Sequence, residues 1–287
     1  MFDFLSHNLY TGHNAQNTTG QSPRLWGQVT GTMMSSCGDK RLVLYGDDFG
    51  AIHHSGTMTD LYSEIPYVLY ADDTSNHTAV GAADEKGGVL QLGIDGSAAA
   101  NEEIGIEAGD GTGQLLQISD TAADAHLTAF ECRIKASSIT TGQLGLIAGL
   151  ASPGTIGNGG IVDTSGIPKA ASAFIGFNIK ADDGNAIDFC YQGAAQTRQD
   201  TIEGAGVPTA DTFIKLGFIY DPGAAASKRI TTYVDNVEQS TYVTSTNIAA
   251  ATFPDAEALT FVFGMKGIAG SVALEDAIDW WAAAQLF

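Results

Sequence analysis

The stretch TAFECRI at 128–134 places Thr128, Phe130, Cys132 and Ile134 on one side of an extended chain and Ala129, Glu131 and Arg133 on the other. Apolar residues at every second position mark a strand with one buried face. The same period returns at Ala173, Ile175, Phe177 and Ile179, at Ile187, Phe189 and Tyr191, at Ile214, Leu216, Phe218 and Tyr220, and at Leu259, Phe261, Phe263 and Met265. Shorter runs of the same kind lie at 41–45, 67–70, 89–92, 104–107 and 115–118, and a closing one at 274–281. Arg229–Val234 is expected to pair with Glu238–Val243 through Asp235-Asn236, two residues that tolerate positive φ. Turn signals are dense between the runs, as in DDGN at 182–185, DPG at 221–223 and GNGG at 157–160. No amphipathic helix of twelve or more residues is expected. Many short strands with frequent turns predict an all-β protein, a sandwich or jelly roll.

Composition supports a large folded body. The chain has 287 residues, 44% of them hydrophobic and only 16% charged, which argues against intrinsic disorder. Its net charge is −20, from 33 Asp and Glu against 13 Lys and Arg. Binding nucleic acid requires cations to displace counterions, so DNA, RNA and anionic membranes are poor partners. The charge is uneven: residues 42–126 hold fifteen acids and one base, Lys86. No apolar run reaches the length of a membrane span, and MFDFLSHNLY has no basic stretch followed by an apolar one, so no secretory signal is expected. Cys37, Cys132 and Cys190 are odd in number and widely spaced, which predicts free thiols in a protein made in a reducing cytoplasm.

Residues 1–40 read differently from the rest, as an extended N-terminal arm ahead of a sandwich domain at 41–287. The arm is polar and turn-rich, yet carries Phe2, Phe4, Leu5, Leu9, Tyr10, Leu25 and Trp26. Large apolar residues in a segment without periodic order suit either packing along the arm's own domain or docking on a partner. These seven are the candidate partner-binding residues. Because the strand pattern starts at Arg41, the sandwich is expected to fold without the arm.

The order Asp47-Asp48-Phe49, alternating strands, Tyr233-Val234-Asp235-Asn236-Val237, Phe261–Phe263 and Ile278-Asp279-Trp280 resembles the concanavalin A-like lectin/glucanase jelly rolls. It looks most like the versions found in structural proteins of tailed bacteriophages, including head decoration (cement) proteins and fibres. The hairpin of that pattern normally carries Asp-Gly, where this chain has Asp235-Asn236. The resemblance covers 47–287. It implies a virion protein made in the host cytoplasm, placed by its acidity on the outer surface of the capsid. Its partners would be the major capsid protein and copies of itself, with a trimer the natural arrangement at threefold positions. A fibre or adhesin domain that binds glycan is the alternative, and a glycan-cleaving enzyme a more distant one.

Catalytic patterns are missing from the sequence. The glucanase branch of the family that the chain resembles uses a Glu-x-Asp-x-x-Glu strand, whose alternate carboxylates flank a glycosidic bond. Glu102-Glu103, Glu107 with Asp110, and Glu275-Asp276 with Asp279 come nearest and do not reproduce it. His53-His54 face opposite ways on a strand, and His7, His13, His77 and His126 are isolated surface or capping candidates. GxSxG is absent, and the Gly-rich GDGTG at 109–113 and GNGG at 157–160 lack the helix and the Lys-Ser/Thr pair of a phosphate loop. Asp47-Asp48, Asp72-Asp73 and DDGN at 182–185 offer oxygens to calcium, although turn formation accounts for them as well. Tyr62, Tyr67, Tyr70, Trp280 and Trp281 offer faces for sugar stacking, although aromatic residues in strands more often fill cores. No catalytic residue, cofactor or metal site is assigned from these patterns.

Overall fold

A computed structural model describes residues 20–35, 42–49, 53–54, 60–62, 65–73, 75–81, 88–113, 115–121, 124–180 and 186–287. Two antiparallel sheets carry the chain. The first is built from β1 (Leu42–Asp47), β5 (His77–Gly81), β6 (Leu90–Ile94), β9 (Leu127–Lys135), β14 (Phe213–Tyr220), β15 (Ile230–Val234), β16 (Val237–Glu238) and β18 (Leu274–Leu286). The second uses β2 (His53–His54), β3 (Asp60–Tyr62), β4 (Pro66–Ala71), β7 (Glu102–Ala108), β8 (Leu116–Ile118), β10 (Leu144–Ala151), β11 (Phe174–Ile179), β12 (Ile187–Gln192), β13 (Gln199–Gly206) and β17 (Glu257–Gly267). Strand order in the first is β16-β15-β14-β9-β18-β6-β5, and in the second β13-β12-β11-β10-β17-β7-β4-β3-β2. In the middle of each sheet, β14-β9-β18-β6 and β10-β17-β7-β4, neighbours in space are distant in sequence, as the crossovers of a jelly roll require.

The alternating residues meet between the sheets. Phe130, Cys132 and Ile134 of β9 join Leu216 and Phe218 of β14, Phe177, Phe189, Phe261 and Phe263 in one buried cluster. Phe261 of the second sheet stacks on Trp281 of the first, ring centroids 4.3 Å apart and planes within 5°. Trp281 donates its indole N–H to Tyr67 Oη (2.8 Å), and Tyr67 donates to Asp47 Oδ2 (2.9 Å), so the polar ends of the core aromatics have partners. Both described cysteines, Cys132 and Cys190, are buried free thiols.

Strand positions follow the alternation closely, with three corrections. Asp235 and Asn236 take φ of 47° and 64°, as the hairpin turn demands, but the expected second strand shrinks to Val237–Glu238 plus one bridge from Ile230 to Val243. The strand at 127–135 is buried on both faces, not one. The third correction explains the second: the chain at 23–35, expected to be extended, forms a 13-residue helix, α1 (Pro23–Ser35).

α1 lies on the outer face of the first sheet. Leu25, Trp26 and Val29 pack on Leu127 and Ala129 of β9, Ile219 of β14, Tyr233 of β15 and Ala282 and Ala284 of β18. Gly217 makes room for the helix, since a Cβ there would stand 2.6 Å from Leu25 Cδ1. Glu131, on the side of β9 read as polar, accepts from the Ser22 N–H (2.9 Å) and the Trp26 indole N–H (2.8 Å). Lys215 Nζ donates to the Gly20 carbonyl (3.0 Å). Burial pushes the Glu131 carboxyl up and the Lys215 ammonium down. Leu25, Trp26 and Val29 of the arm therefore serve the domain's own packing.

Two predictions arise here. Trp26→Ala should cost about 3–5 kcal/mol, because it leaves a cavity and strips a donor from a buried carboxylate. Urea unfolding of the full chain measures this, and deletion of residues 1–40 should lower stability in the same assay rather than leave it unchanged. The second concerns Asp276, buried on β18, whose Oδ1 accepts from the Ser137 N–H and Oγ–H (both 2.7 Å). Burial pushes its carboxyl up to about 6. The folded chain therefore holds this proton more tightly than the unfolded one, so the group favours folding below about pH 4, and that contribution is lost as the pH rises through 6. Asp276→Asn should match the wild type near pH 4 and exceed it at pH 8 by roughly 2–3 kcal/mol.

Candidate functional site

The outer face of the second sheet carries four buried charged side chains, Glu103, Glu107, Asp188 and Lys266. On β7, Glu103, Gly105 and Glu107 point outward, and beside them stand Thr260, Val262, Gly264 and Lys266 of β17. The loop from Ser152 to Ser172 crosses this face. It settles deeply because glycines lie beneath it: a Cβ on Gly105 would come within 2.9 Å of Ile156, and one on Gly264 within 2.9 Å of Ile161. Ile156, Ile161 and Val162 then complete an apolar layer with Ile147, Phe174, Cys190 and Val262.

Side chains from the sheet satisfy the loop backbone. Glu103 accepts from the Ile161 N–H and, at 2.8 Å, from the Val162 N–H. Lys266 Nζ reaches Glu103 Oε2 at 2.9 Å and the Val162 carbonyl at 3.0 Å, and Lys169 Nζ lies 3.5 Å from the same carboxylate. Glu107 accepts from the Gly154 N–H (2.6 Å) and the Ile156 N–H (3.0 Å), and burial still holds its carboxyl above the usual range. Asn178 donates to the Leu146 and Gly166 carbonyls, and Gln192 to those of Lys169 and Ser172. Further along, Asp188 of β12 meets Arg198 at 3.2 Å and accepts from the Gly204 N–H at 3.0 Å.

This arrangement does not suit glycoside hydrolysis. Glu103 and Glu107 are the nearest approach to a carboxylate pair on one strand face, but both carboxylates accept N–H groups of the loop above them. Both residues are also at most 1% exposed. Glu275 is exposed, Asp276 is buried on the opposite strand face, and Asp279 is held by Arg133.

An open groove lies at one end of the sandwich, with a volume of about 850 Å³. Asp120, Tyr220, Arg229, Ser245, Thr246 and Ile248 line it. The short helix α2 (Ser245–Ile248) forms one wall, fixed by a capping box between Thr244 and Asn247. Tyr220 is anchored to the Ser119 carbonyl (2.7 Å), and burial pushes its phenol up to about 12. Arg229 donates to the Pro222 carbonyl. A second groove of about 420 Å³, containing Gln196, Asp255 and Glu257, adjoins α2. The Asp120 N–H donates to Asp255 Oδ1 (2.9 Å) between the two.

The sequence-derived candidates distribute as follows. Leu25 and Trp26 are buried under α1, whereas Phe2, Phe4, Leu5, Leu9 and Tyr10 lie outside the described residues. His7, His13 and the 182–185 acidic turn do so too. Tyr67, Trp280 and Trp281 are core residues, 2%, 6% and 0% exposed, so they offer no stacking face, and Tyr70 is half-buried. Asp47 is occupied by the Phe49 N–H and Tyr67, and Asp73 by Ser75 and Asn76. His126 stacks on Phe287. His77, expected at the surface, is buried beside Asp72 and Glu102. The end groove was missed because its lining comes from three separate loops, none with a local motif.

No family model matches the chain, and no curated protein does. Solved structures do. Peanut lectin with a nine-residue peptide aligns over 86% of this chain and 99% of its own, at 14% identity and a TM-score of 0.52. The fold is the concanavalin A-like jelly roll. Basic winged bean lectin with Tn-antigen covers 86% and 99% at 12% identity (TM-score 0.51). Lectin UEA-II with galactose covers 84% and 98%, also at 12% (TM-score 0.50). At these identities the likeness concerns the jelly-roll fold alone.

The Glu103 network generates a prediction. Glu103→Ala strands the buried Lys266 ammonium and two loop N–H groups, and should cost about 3–5 kcal/mol. Urea unfolding measures the loss, and limited proteolysis should show faster cutting within 152–172.

Proposed function

We propose that this chain is a non-catalytic building block that binds other macromolecules, serving as a decoration protein on the outer surface of a tailed-bacteriophage head. One observation carries the reading: the carboxylates best placed for chemistry, Glu103 and Glu107, are spent on the backbone of the loop above them. A sandwich with covered sheets is a stiff spacer, suited to bridging shell subunits. Its charge of −20 opposes contact with packaged DNA and favours the outside of a particle. The partners in this reading are the major capsid protein and further copies of the chain, arranged as trimers. Each interface would bury about 1,600 Å². Phe2, Phe4, Leu5, Leu9 and Tyr10 are the proposed anchors, since Leu25 and Trp26 already serve the domain.

Glycan binding is the second reading, favoured by the end groove. Asp120, Arg229, Ser245 and Thr246 offer donors and acceptors of the kind a polyhydroxylated ligand needs.

Three measurements decide among the readings. Incubation with polysaccharides should release no reducing ends, and release would overturn the non-catalytic assignment. Quantitative mass spectrometry of purified particles should find on the order of hundreds of copies per particle, as shell symmetry requires, whereas tens or fewer would move the protein to a fibre. A glycan-array signal abolished by Arg229→Ala would favour the second reading.

A further inference from the structure

Three lone pairs converge where the chain passes from one sheet to the other. Asp72 follows the last residue of β4 in the second sheet, and His77 opens β5 in the first. Glu102 opens β7, the neighbour of β4. His77 Nε2 lies 3.4 Å from Asp72 Oδ1 and 3.8 Å from Glu102 Oε2. All three ligand atoms fall within 4.8 Å of one another.

The tautomer of the neutral His77 ring is fixed by its other nitrogen. Nδ1 hydrogen-bonds to the Asp73 carbonyl, which can only accept, so Nδ1 carries the hydrogen. In the neutral ring Nε2 then presents a bare lone pair to two carboxylates. The residue is 3% exposed, and Nε2 has no hydrogen-bond partner. Glu102 Oε2 is likewise buried without a hydrogen-bond partner, while Oε1 is oriented by the Ala99 N–H (2.7 Å). Asp72 is oriented by the Glu103 N–H, at 3.0 and 2.9 Å from its two oxygens. Acceptors gathered in this way repel one another unless a cation stands between them.

We propose that Asp72, His77 and Glu102 bind a first-row divalent metal ion of the zinc class, through His77 Nε2 and one oxygen of each carboxylate, with a fourth position open to water. The spacing fits. Ligands about 2.0–2.2 Å from a tetrahedral ion stand roughly 3.4 Å apart. A proton shared across 3.4 and 3.8 Å would make poor hydrogen bonds. The nitrogen ligand selects against calcium, which takes oxygen. The Nδ1–carbonyl bond is the outer support that metal-bound histidines ordinarily have. Fifteen acids against one base at 42–126 raise the local cation concentration. The ion would tie the β4–β5 crossover to β7 and so join the edge of the first sheet to the interior of the second.

Titration calorimetry tests this on the full chain after EDTA treatment and dialysis. ZnCl₂ should bind with one equivalent tighter than about 10 μM and raise the Tm, whereas CaCl₂ should bind at least tenfold more weakly. Cobalt chloride should give the intense visible bands of a four-coordinate ion. Glu102→Gln and Asp72→Asn each keep the side-chain shape and should weaken zinc binding on the order of 100-fold, with the metal-free Tm little changed. Should a variant fail to fold, the cobalt spectrum of the unaltered chain still decides. The proposal fails if zinc does not bind, if both variants bind it as the parent does, if calcium binds equally well, or if cobalt shows only the faint spectrum of a six-coordinate ion.

Discussion

Backbone N–H groups brought onto a buried face need acceptors, and the loop over the second sheet depends on two carboxylates to supply them. Glu103 and Glu107 stand on one face of β7 and receive the N–H groups of Gly154, Ile156, Ile161 and Val162. Unsatisfied buried donors cost about 1–3 kcal/mol each, so the loop could not lie there without them. The first sheet repeats the solution with Glu131, which receives Ser22 and Trp26 and seats α1. Each sheet thus has a second packed layer outside the central core, held by acid side chains aimed away from that core.

Five of the chain's acids have an equally local use. Asp73, Asp95, Asp110, Asp163 and Asp221 each accept the N–H two residues ahead, from Ser75, Ser97, Thr112, Ser165 and Gly223. These are side-chain turns at the ends of strands. The serine and threonine donors hold the Asp73, Asp95 and Asp110 carboxyls below the usual range. Within the acidic stretch 42–126, Asp73, Asp95 and Asp110 are used in this way.

The central core was legible in the sequence and the outer layers were not. Phe130, Phe177, Phe218 and Phe261 sit where a period of two puts them, because a strand with one buried face writes that period directly. β10, LGLIAGLA, escaped because both its faces are covered and alternation disappears. α1 escaped because its glycines and threonines weaken any helical signal, and because its partner stripe on β9, Ala129 and Glu131, read as a solvent face. Glu103 and Glu107 were visible as acids, but their role needed the loop fifty residues away. Asp72, His77 and Glu102 form no local motif, since thirty residues and two strands separate the first from the last.

The strand order also sets when this protein can fold. β18 is the shared neighbour of β1, β6 and β9, and β17 that of β7, β8 and β10. Six strands formed from residues 42–151 therefore wait for residues 257–286 before either sheet has its middle. On the ribosome most of the polypeptide emerges with open edges and an exposed apolar face, the condition under which strands pair with the wrong chain. Closure is then a late event over long loops, which makes it slow. The gap between synthesis and closure is the interval in which this protein is most exposed to aggregation.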